Sequence, residues 1–191
     1  MVVIEGDNAS GKTTLAECFQ RSGYTIPTLE PDILKLEKAA KSEIGVRRVN
    51  AFLAYNSICG NISRKRENSL IIRYWVSTIA ASYADNIFSL KQAMDKAVDL
   101  NNKLPSPDFV FCLKCQYDIR VKRIENRKKE TGDTSDNTSQ ERDKKYQQIL
   151  GELEVLVKNW HNIDTVANEP NLIFSIMNKI ILNGNKDENT K

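Results

Sequence analysis

The sequence is poor in the residues that mark several common classes of protein. It has one histidine and four cysteines in 191 residues, and no apolar run approaches the roughly 20 residues that span a bilayer. Cys112 and Cys115 form a CxxC, but the chain has no second such pair, which argues against a zinc site. Cys18 and Cys59 add no disulfide-framework spacing. These absences argue against a disulfide scaffold, a zinc module and a membrane span, and favour a reducing compartment.

An excess of charge of one sign is also missing. The 28 lysines and arginines face 25 aspartates and glutamates, for a net charge of +3. Basic clusters at 64–66 and 120–129 are interleaved with acidic residues, as is typical of solvated helix faces. We therefore expect neither nucleic acid nor a membrane as a partner. Residues 1–5 lead into a glycine loop rather than a signal-peptide pattern, so we expect a cytoplasmic protein.

The N-terminal segment MVVIEGDNASGKTT carries the strongest chemical signal. VVIEG is typical of a strand, residues 6–13 fit GxxxxGK[ST] at every required position, and residues 15–19 have helical spacing. In such a loop the backbone N–H groups and the helix N-terminus attract a bound anion. The lysine reaches the β- and γ-phosphates and the threonine hydroxyl ligates Mg²⁺. The predicted nucleotide-binding residues are Gly6, Asn8, Ala9, Ser10, Gly11, Lys12, Thr13 and Thr14, with Thr13 as the metal ligand.

The remainder alternates between strand-like and helix-like segments. Apolar runs predict strands at 24–27, 69–73, 108–114 and 162–166. Helical spacing predicts helices over 32–42 and 45–65, over most of 76–102, over 116–129, from 139, and over 169–182. This alternation predicts an α/β fold with a parallel sheet between helices. We expect one domain over 1–182, a polar loop at 130–138 and a flexible tail at 183–191.

Several segments together resemble a known family. EGDNASGKTTLAE is similar to an EGxxGxGKTT start, TLEP to a TREP segment, and IIRYWVSTIA to a DRYxxSxxA segment. PSPDFVFCLKCQYDIRVKRIENR, SQERDKKYQQIL and NWHNIDTVANEPNLIFSIMNKII are similar, in order, to the segments that follow. The pattern resembles the thymidylate kinase family of P-loop nucleoside-monophosphate kinases. The resemblance implies a P-loop NTPase fold with a five-stranded parallel sheet, and ATP- and Mg²⁺-dependent phosphorylation of a nucleoside monophosphate, with dTMP as the foremost acceptor.

The resemblance also implies roles on the phosphate side. Lys12 and Mg²⁺ would stabilise the charge on the moving γ-phosphoryl group, and Arg73 would hold the acceptor phosphate. Arg123 and Arg127 lie beside the 130–138 segment, which would close as a lid. Both arginines are equally compatible with an ordinary charged helix surface.

On the acceptor side, the resemblance implies a pocket for a small-molecule nucleotide. Phe52 would stack on the base, Asn56 lies near the position of a base-reading arginine, and Ser77 is in register with a family serine. Phe52 is equally compatible with the core, because it has helical spacing. Members of the family often form dimers, so a homodimer is compatible with the resemblance.

Five residues depart from the family pattern around the acceptor. Ile72 stands in place of the acid of the DR pair, Leu29 in place of an arginine and Asn8 in place of an acid, while Ala81 and Ser82 replace YQ. These departures keep two alternatives open.

The first alternative is a deoxynucleoside kinase. Glu30–Pro31 matches the EP pair of that family, whose glutamate is the general base toward a nucleoside 5′-hydroxyl. Loss of the arginine at position 29 suits an acceptor without phosphate, but residues 72–74 do not match that family's ERS triplet.

The second alternative is a nucleotide-binding protein without phosphoryl transfer. Against it, the acids Glu5, Asp7, Asp32, Asp133 and Asp136 are candidates for the charge missing at position 72. A monophosphate acceptor is favoured over a nucleoside, because the second half of the chain follows the thymidylate kinase pattern. The sequence does not decide between a kinase and a nucleotide-binding protein without transfer, which a turnover assay separates.

Overall fold

The computed structural model describes residues 1–132, 139–166 and 168–188. Within these residues the chain forms four strands and eight α-helices. The strands are β1 (Val2–Glu5), β2 (Leu70–Ile72), β3 (Phe109–Lys114) and β4 (Trp160–Asp164). The helices are α1 (Lys12–Arg21), α2 (Pro31–Ser42), α3 (Gly45–Arg64), α4 (Trp75–Ala84), α5 (Leu90–Lys103), α6 (Tyr117–Thr131), α7 (Gln140–Glu154) and α8 (Pro170–Glu188).

The four strands form one parallel sheet in the order β2-β1-β3-β4. Its two central strands, β1 and β3, are almost entirely buried, as expected for strands covered on both faces. The fifth strand expected at 24–27 is reduced to one parallel bridge between Thr25 and Ser69, beside β2. Pro27 begins a 3-10 turn (Pro27–Leu29) directly afterwards, which ends the pairing. The predicted architecture is therefore present, with its edge strand cut short.

Each face of the sheet has its own apolar core. On one face α3, α4, α5 and α7 pack against the strands, with Trp75, Ile79 and Tyr146 at the centre. On the other face α1 and α8 pack together, and Phe19 meets Phe174 edge to face at 4.9 Å. The two cores hold the central strands rigidly, so the loops after β1 and β2 leave the sheet from fixed points.

Two helices differ in extent from the sequence prediction. The long helix expected over 76–102 is interrupted between α4 and α5, where Asn86 adopts φ 57° and Ser89 with Gln92 forms a capping box. The last helix continues to Glu188, beyond the end predicted at 182, with Gly184 packed so closely on Phe109 that a Cβ would lie 2.6 Å from its ring. The expected tail at 183–191 is thus helical as far as Glu188.

The predicted lid at 130–138 falls mainly on residues 133–138, outside the described part of the chain, and it stays a prediction. Its first residues complete α6, which ends at Thr131 before Gly132. Among the described residues, no helix combines the length and apolarity required to cross a bilayer.

Candidate active site

A cleft of about 510 Å³ opens at the carboxyl ends of β1 and β2. The chain leaves β1 toward β2 on one side and later returns to β3 on the other side of β1. Ligands bind open α/β sheets at such a reversal. The cleft is bounded by the loop after β1, by the segment from Thr28 into α2 and α3, and by α6 with the β4–α8 connection.

The loop between β1 and α1 has the geometry of an anion cradle. Gly6 has φ 132°, and a Cβ there would lie 2.8 Å from the Leu113 carbonyl oxygen, so only glycine fits. Gly11 ends the loop at φ 98°, and the first turn of α1 has no side-chain cap. The N–H donors of that turn, together with the helix dipole, therefore face the cleft as an anion site.

Lys12 is buried at the base of this cradle. Its Nζ donates to the carbonyl oxygens of Gly6 (2.8 Å) and Asp7 and to Ser10 Oγ (3.2 Å). Burial, reinforced by the positive charge of Arg73, lowers the pKa of Lys12 well below its ordinary value. The charges of Asp7 and Glu5 offset this only in part, and an anion in the cradle would add further negative charge beside the Lys12 ammonium group.

Arg73 faces the phosphate loop from the neighbouring strand. It follows β2 at φ 63°, and its backbone N–H donates to the Ile4 carbonyl oxygen at 3.0 Å. Its guanidinium donates to Asn8 Oδ1 in the loop. Lys12, at the start of α1, and Arg73, directly after β2, therefore line one cleft.

Arg123 and Arg127 line the same cleft from α6. Arg123 donates to the Ala9 carbonyl oxygen at 3.1 Å and to the Thr165 carbonyl oxygen at 3.0 Å. It thereby joins the phosphate loop to the segment after β4. The exposed side chains of Thr13 and Thr14 lie along the same wall.

Glu30 lies outside the lining of the cleft. Its carboxylate pairs with Arg66, just beyond α3, and its backbone forms the N-cap of α2. The role of Glu30 as a general base stays a prediction, because a base must reach the attacking hydroxyl and this carboxylate is engaged by Arg66.

The three further predicted acceptor contacts are not among the residues that line the cleft. Asn56 is buried and donates to Thr78 Oγ1 at 2.8 Å, and Ser77 donates its hydroxyl proton to Glu5. Phe52 packs edge to face on Tyr55, with ring centroids 6.3 Å apart. The aromatic residue of α3 that does line the cleft is Tyr55, one helical turn after Phe52.

Glu5 is a buried acid next to the cradle. It accepts hydrogen bonds from the Tyr74 N–H (3.0 Å) and the Ser77 hydroxyl. Burial raises the pKa of Glu5, and these bonds with the charges of Arg73 and Lys12 offset only part of that effect. Both of its oxygens are thus engaged in fixing the start of α4 against the end of β1.

A buried ion network that sequence reasoning missed holds the phosphate loop from behind. Arg120 is 1% exposed and donates to Asp7 Oδ2 at 2.7 Å and to Asp143 on α7. Arg142 joins the network through Asp7 Oδ1 (3.3 Å) and Asp85 Oδ1 (2.7 Å).

The charges of the network decide the ionisation of Asp7. Burial favours a raised pKa for Asp7, but the guanidinium of Arg120, the Asn8 N–H and the charges of Arg142 and Arg73 outweigh it and lower the pKa. Asp7 is therefore a carboxylate that ties the loop to α6, α7 and the end of α4.

Within the part of the chain that the structure describes, no cluster of three or more histidine, cysteine, aspartate or glutamate side chains could hold a metal ion. The cradle nevertheless fits a nucleotide phosphate. Mg²⁺ at such sites is held by few protein groups together with phosphate oxygens and water, so the exposed Thr13 hydroxyl fits the ion in that manner.

Comparison with known proteins gave no matching family model. The chain is 32% identical over 140 residues to probable thymidylate kinase 1 of Saccharolobus solfataricus, a match that covers 67% of this chain and 71% of the relative. It is 34% identical over 133 residues to a probable thymidylate kinase of Sulfurisphaera tokodaii, covering 64% and 67% of the two chains.

Two solved structures share the fold. The thymidylate kinase of Candida albicans has a TM-score of 0.70 at 19% identity, over 96% of this chain and 91% of its own. The deoxyadenosine kinase of M. mycoides with bound dATP has a TM-score of 0.62 at 20% identity, over 94% and 98%. These likenesses confirm the P-loop kinase fold. With the sequence identity to the two curated relatives, the chain belongs to the thymidylate kinase family of nucleotide kinases.

Proposed function

We propose that the protein transfers the γ-phosphoryl group of ATP to a nucleoside monophosphate bound in this cleft. The observation that supports it most is that Lys12, at the start of α1, and Arg73, directly after the neighbouring strand β2, line the same cleft. The names of the curated relatives make dTMP the reference acceptor.

On the donor side, the cradle after β1 would bind the ATP phosphates. The N–H groups at the start of α1 and the Lys12 ammonium would hold the β- and γ-phosphates, while Arg123 and Arg127 would line the nucleotide side of the cleft. The Thr13 hydroxyl would be a protein ligand of Mg²⁺, which would neutralise phosphate charge. Phosphoryl transfer needs little else beyond alignment and charge stabilisation.

On the acceptor side, Arg73 would bind the monophosphate. Its guanidinium reaches the phosphate loop through Asn8, so an acceptor phosphate held there would lie beside the donor phosphates. Holding two reactants in line is a large part of the rate acceleration in such reactions.

Phosphorylation of a nucleoside 5′-hydroxyl is less well supported. That reaction requires a carboxylate base within reach of the hydroxyl. The Glu30 carboxylate is paired with Arg66, and Glu5 has both oxygens hydrogen-bonded. An acceptor that arrives as a phosphate dianion needs no such base.

The test is ADP formation from ATP and Mg²⁺ with each deoxynucleoside monophosphate and each deoxynucleoside, corrected for hydrolysis without acceptor. The products are identified by chromatography. Diphosphates are expected from the monophosphate series. Monophosphates formed from nucleosides would overturn the acceptor assignment, and ATP binding without any product would favour a nucleotide-binding protein that performs no transfer.

A further inference from the structure

The guanidinium of Arg73 depends on the phosphate loop for its orientation. Among the residues that the structure describes, its hydrogen-bond partner is Asn8, whose Oδ1 accepts from Nη2. Ile72, the residue before it, offers no polar side-chain group. Holding a long side chain such as arginine in one rotamer costs conformational entropy. The direction in which Arg73 points into the cleft is therefore set by where the Asn8 amide lies.

The position of Asn8 is set in turn by the carboxylate of Asp7. Asp7 Oδ1 accepts the backbone N–H of Asn8 at 2.8 Å, and the same oxygen accepts from Arg142 Nη1 at 3.3 Å. Asp7 Oδ2 accepts from Arg120 Nη1 at 2.7 Å. Because each oxygen has its own arginine, the carboxylate is held against rotation and offers Asn8 an acceptor at a fixed point.

Arg142 is anchored outside the loop. Its Nε donates at 2.7 Å to Oδ1 of Asp85, which follows the last residue of α4, and its guanidinium carbon lies 5.8 Å from the centre of the Tyr146 ring. Arg73 lies just before the other end of α4, which begins at Trp75. The contacts therefore form a closed circuit from Arg73 through the loop to Arg142 and back along α4.

We infer that Arg142 is a positioning residue for the acceptor phosphate. Arg142 holds Asp7, Asp7 holds Asn8, and Asn8 orients the guanidinium of Arg73. The inference rests on the proposed function, in which Arg73 binds that phosphate. Arg142 is not among the described residues that line the cleft, so it acts on the acceptor through this chain of contacts.

The donor side of the site does not rely on Arg142. Lys12 Nζ is held by the Gly6 and Asp7 carbonyl oxygens and by Ser10 Oγ, and Arg120 keeps its own contact with Asp7. Removal of Arg142 should therefore weaken binding of the acceptor and spare binding of ATP. A contact that acts equally on the bound substrate and on the transition state changes KM and leaves kcat unaltered.

The experiment measures kcat and KM of Arg142→Met for dTMP at saturating ATP and Mg²⁺, and KM for ATP at saturating dTMP. KM for dTMP should rise about tenfold, the usual value of one charge-assisted hydrogen bond, while KM for ATP stays within about twofold. KM does not depend on the fraction of the protein that is folded. A merely structural role would lower Tm and apparent kcat but leave KM for dTMP unchanged, which would overturn the inference.

A matched control lies one turn later on α7. Lys145 Nζ donates at 2.7 Å to Asn86 Oδ1, beside Asp85, and has no contact with Asp7 among the described residues. Lys145→Gln therefore removes a similar contact between α7 and the end of α4 without touching the loop. Its KM for dTMP should equal that of the wild type, and a rise as large as that of Arg142→Met would overturn the inference.

A double-mutant cycle tests whether Arg142 acts through Asn8. Asn8→Ala removes the amide that orients Arg73, keeps the ion network, and should raise KM for dTMP as Arg142→Met does. Residues of one network are not additive, so the double variant should exceed Asn8→Ala by no more than about twofold. Additive effects would indicate a direct contact of Arg142 with the acceptor and overturn the positioning role. If Arg142→Met does not fold, Asn8→Ala still tests the last step, and an unchanged KM for dTMP would overturn it.

Calorimetric binding of dTMP and of ATP separates this inference from the proposed function. If dTMP binds but is not phosphorylated, the proposed function fails, yet weaker dTMP binding in Arg142→Met with unchanged ATP binding would still support the inference. Normal phosphorylation with the same KM for dTMP in both proteins would leave the proposed function standing and overturn the inference. Absence of dTMP binding by the wild type would overturn it as well.

Discussion

Replacing Arg120 by methionine should destabilise the protein strongly. Arg120 is 1% exposed and contacts the carboxylates of Asp7, 3% exposed, and Asp143. Methionine fills much of the arginine volume, so the main loss is electrostatic. Removing one partner of a buried ion pair typically costs about 3–5 kcal/mol. Because Arg142 still contacts Asp7 at 3.3 Å, the lower end of that range is expected.

The assay is urea denaturation at pH 7 together with the midpoint of thermal unfolding. For a chain of this size about 1 kcal/mol corresponds to roughly 2–4 °C, so Tm should fall by about 6–12 °C. Lys91→Gln is the control, because Lys91 pairs with Asp95 at the surface, where both side chains are largely exposed. A triple variant that also carries Asp7→Asn and Asp143→Asn should recover much of the loss.

The pH dependence gives a second readout. The wild-type pKa of Asp7 lies below its ordinary value, so its stabilising contribution is present above that ordinary value and is lost as pH falls through the folded pKa. Without Arg120 the folded pKa of Asp7 should rise, so the variant's deficit should shrink under acidic conditions. If Arg120→Met lowers the free energy of unfolding at pH 7 no more than Lys91→Gln does, the proposed stabilising role of Arg120 is refuted.

Three further substitutions test other parts of the site. Lys12→Ala should lower turnover by orders of magnitude with little change in the far-ultraviolet circular dichroism, and near-normal turnover would remove the loop from the mechanism. Glu30→Gln should leave monophosphate phosphorylation within about threefold of wild type, since the Glu30 carboxylate pairs with Arg66 and a phosphate acceptor needs no base; loss of nucleoside phosphorylation would instead identify Glu30 as a base. Glu5→Gln should become more stable relative to wild type as pH rises above 4.5. Burial raises the pKa of Glu5 in the folded protein, so between 4.5 and that raised pKa the wild type progressively loses free energy of unfolding, whereas the neutral glutamine does not. A difference in Tm between Glu5→Gln and wild type that does not vary with pH would count against that reasoning.

The donor half of the site could be predicted from the sequence because its signals are local. Strand, glycines, Lys12 and helix follow one another within the loop motif, and the backbone alone fixes where the ammonium group lies. The alternation of elements similarly predicted the parallel sheet. The capping box of Ser89 and Gln92 is a local signal for the start of α5. The apolar residues keep helical spacing across this point, so the sequence analysis predicted one continuous helix.

The wall of the cleft that α2 and α3 form could not be predicted, because it depends on how helices pack. Resemblance located Phe52 and Asn56 on α3, whereas the α3 side chain that lines the cleft is Tyr55. Arg120 lies 113 residues from Asp7 and 23 from Asp143, so no short motif could reveal their contact. Arg120 begins the charged segment 120–129, which is typical of a solvated helix face, so the sequence indicated a surface residue.

The most direct test of phosphoryl transfer follows the γ-phosphoryl group itself. ATP labelled at the γ-phosphate is incubated with Mg²⁺, a deoxynucleoside monophosphate and either the wild-type protein or Lys12→Ala, and the labelled products are separated. The account predicts label in the β-phosphate of a nucleoside diphosphate with the wild type, and orders of magnitude less with Lys12→Ala. Label that stays in ATP, or appears only as inorganic phosphate, would contradict it.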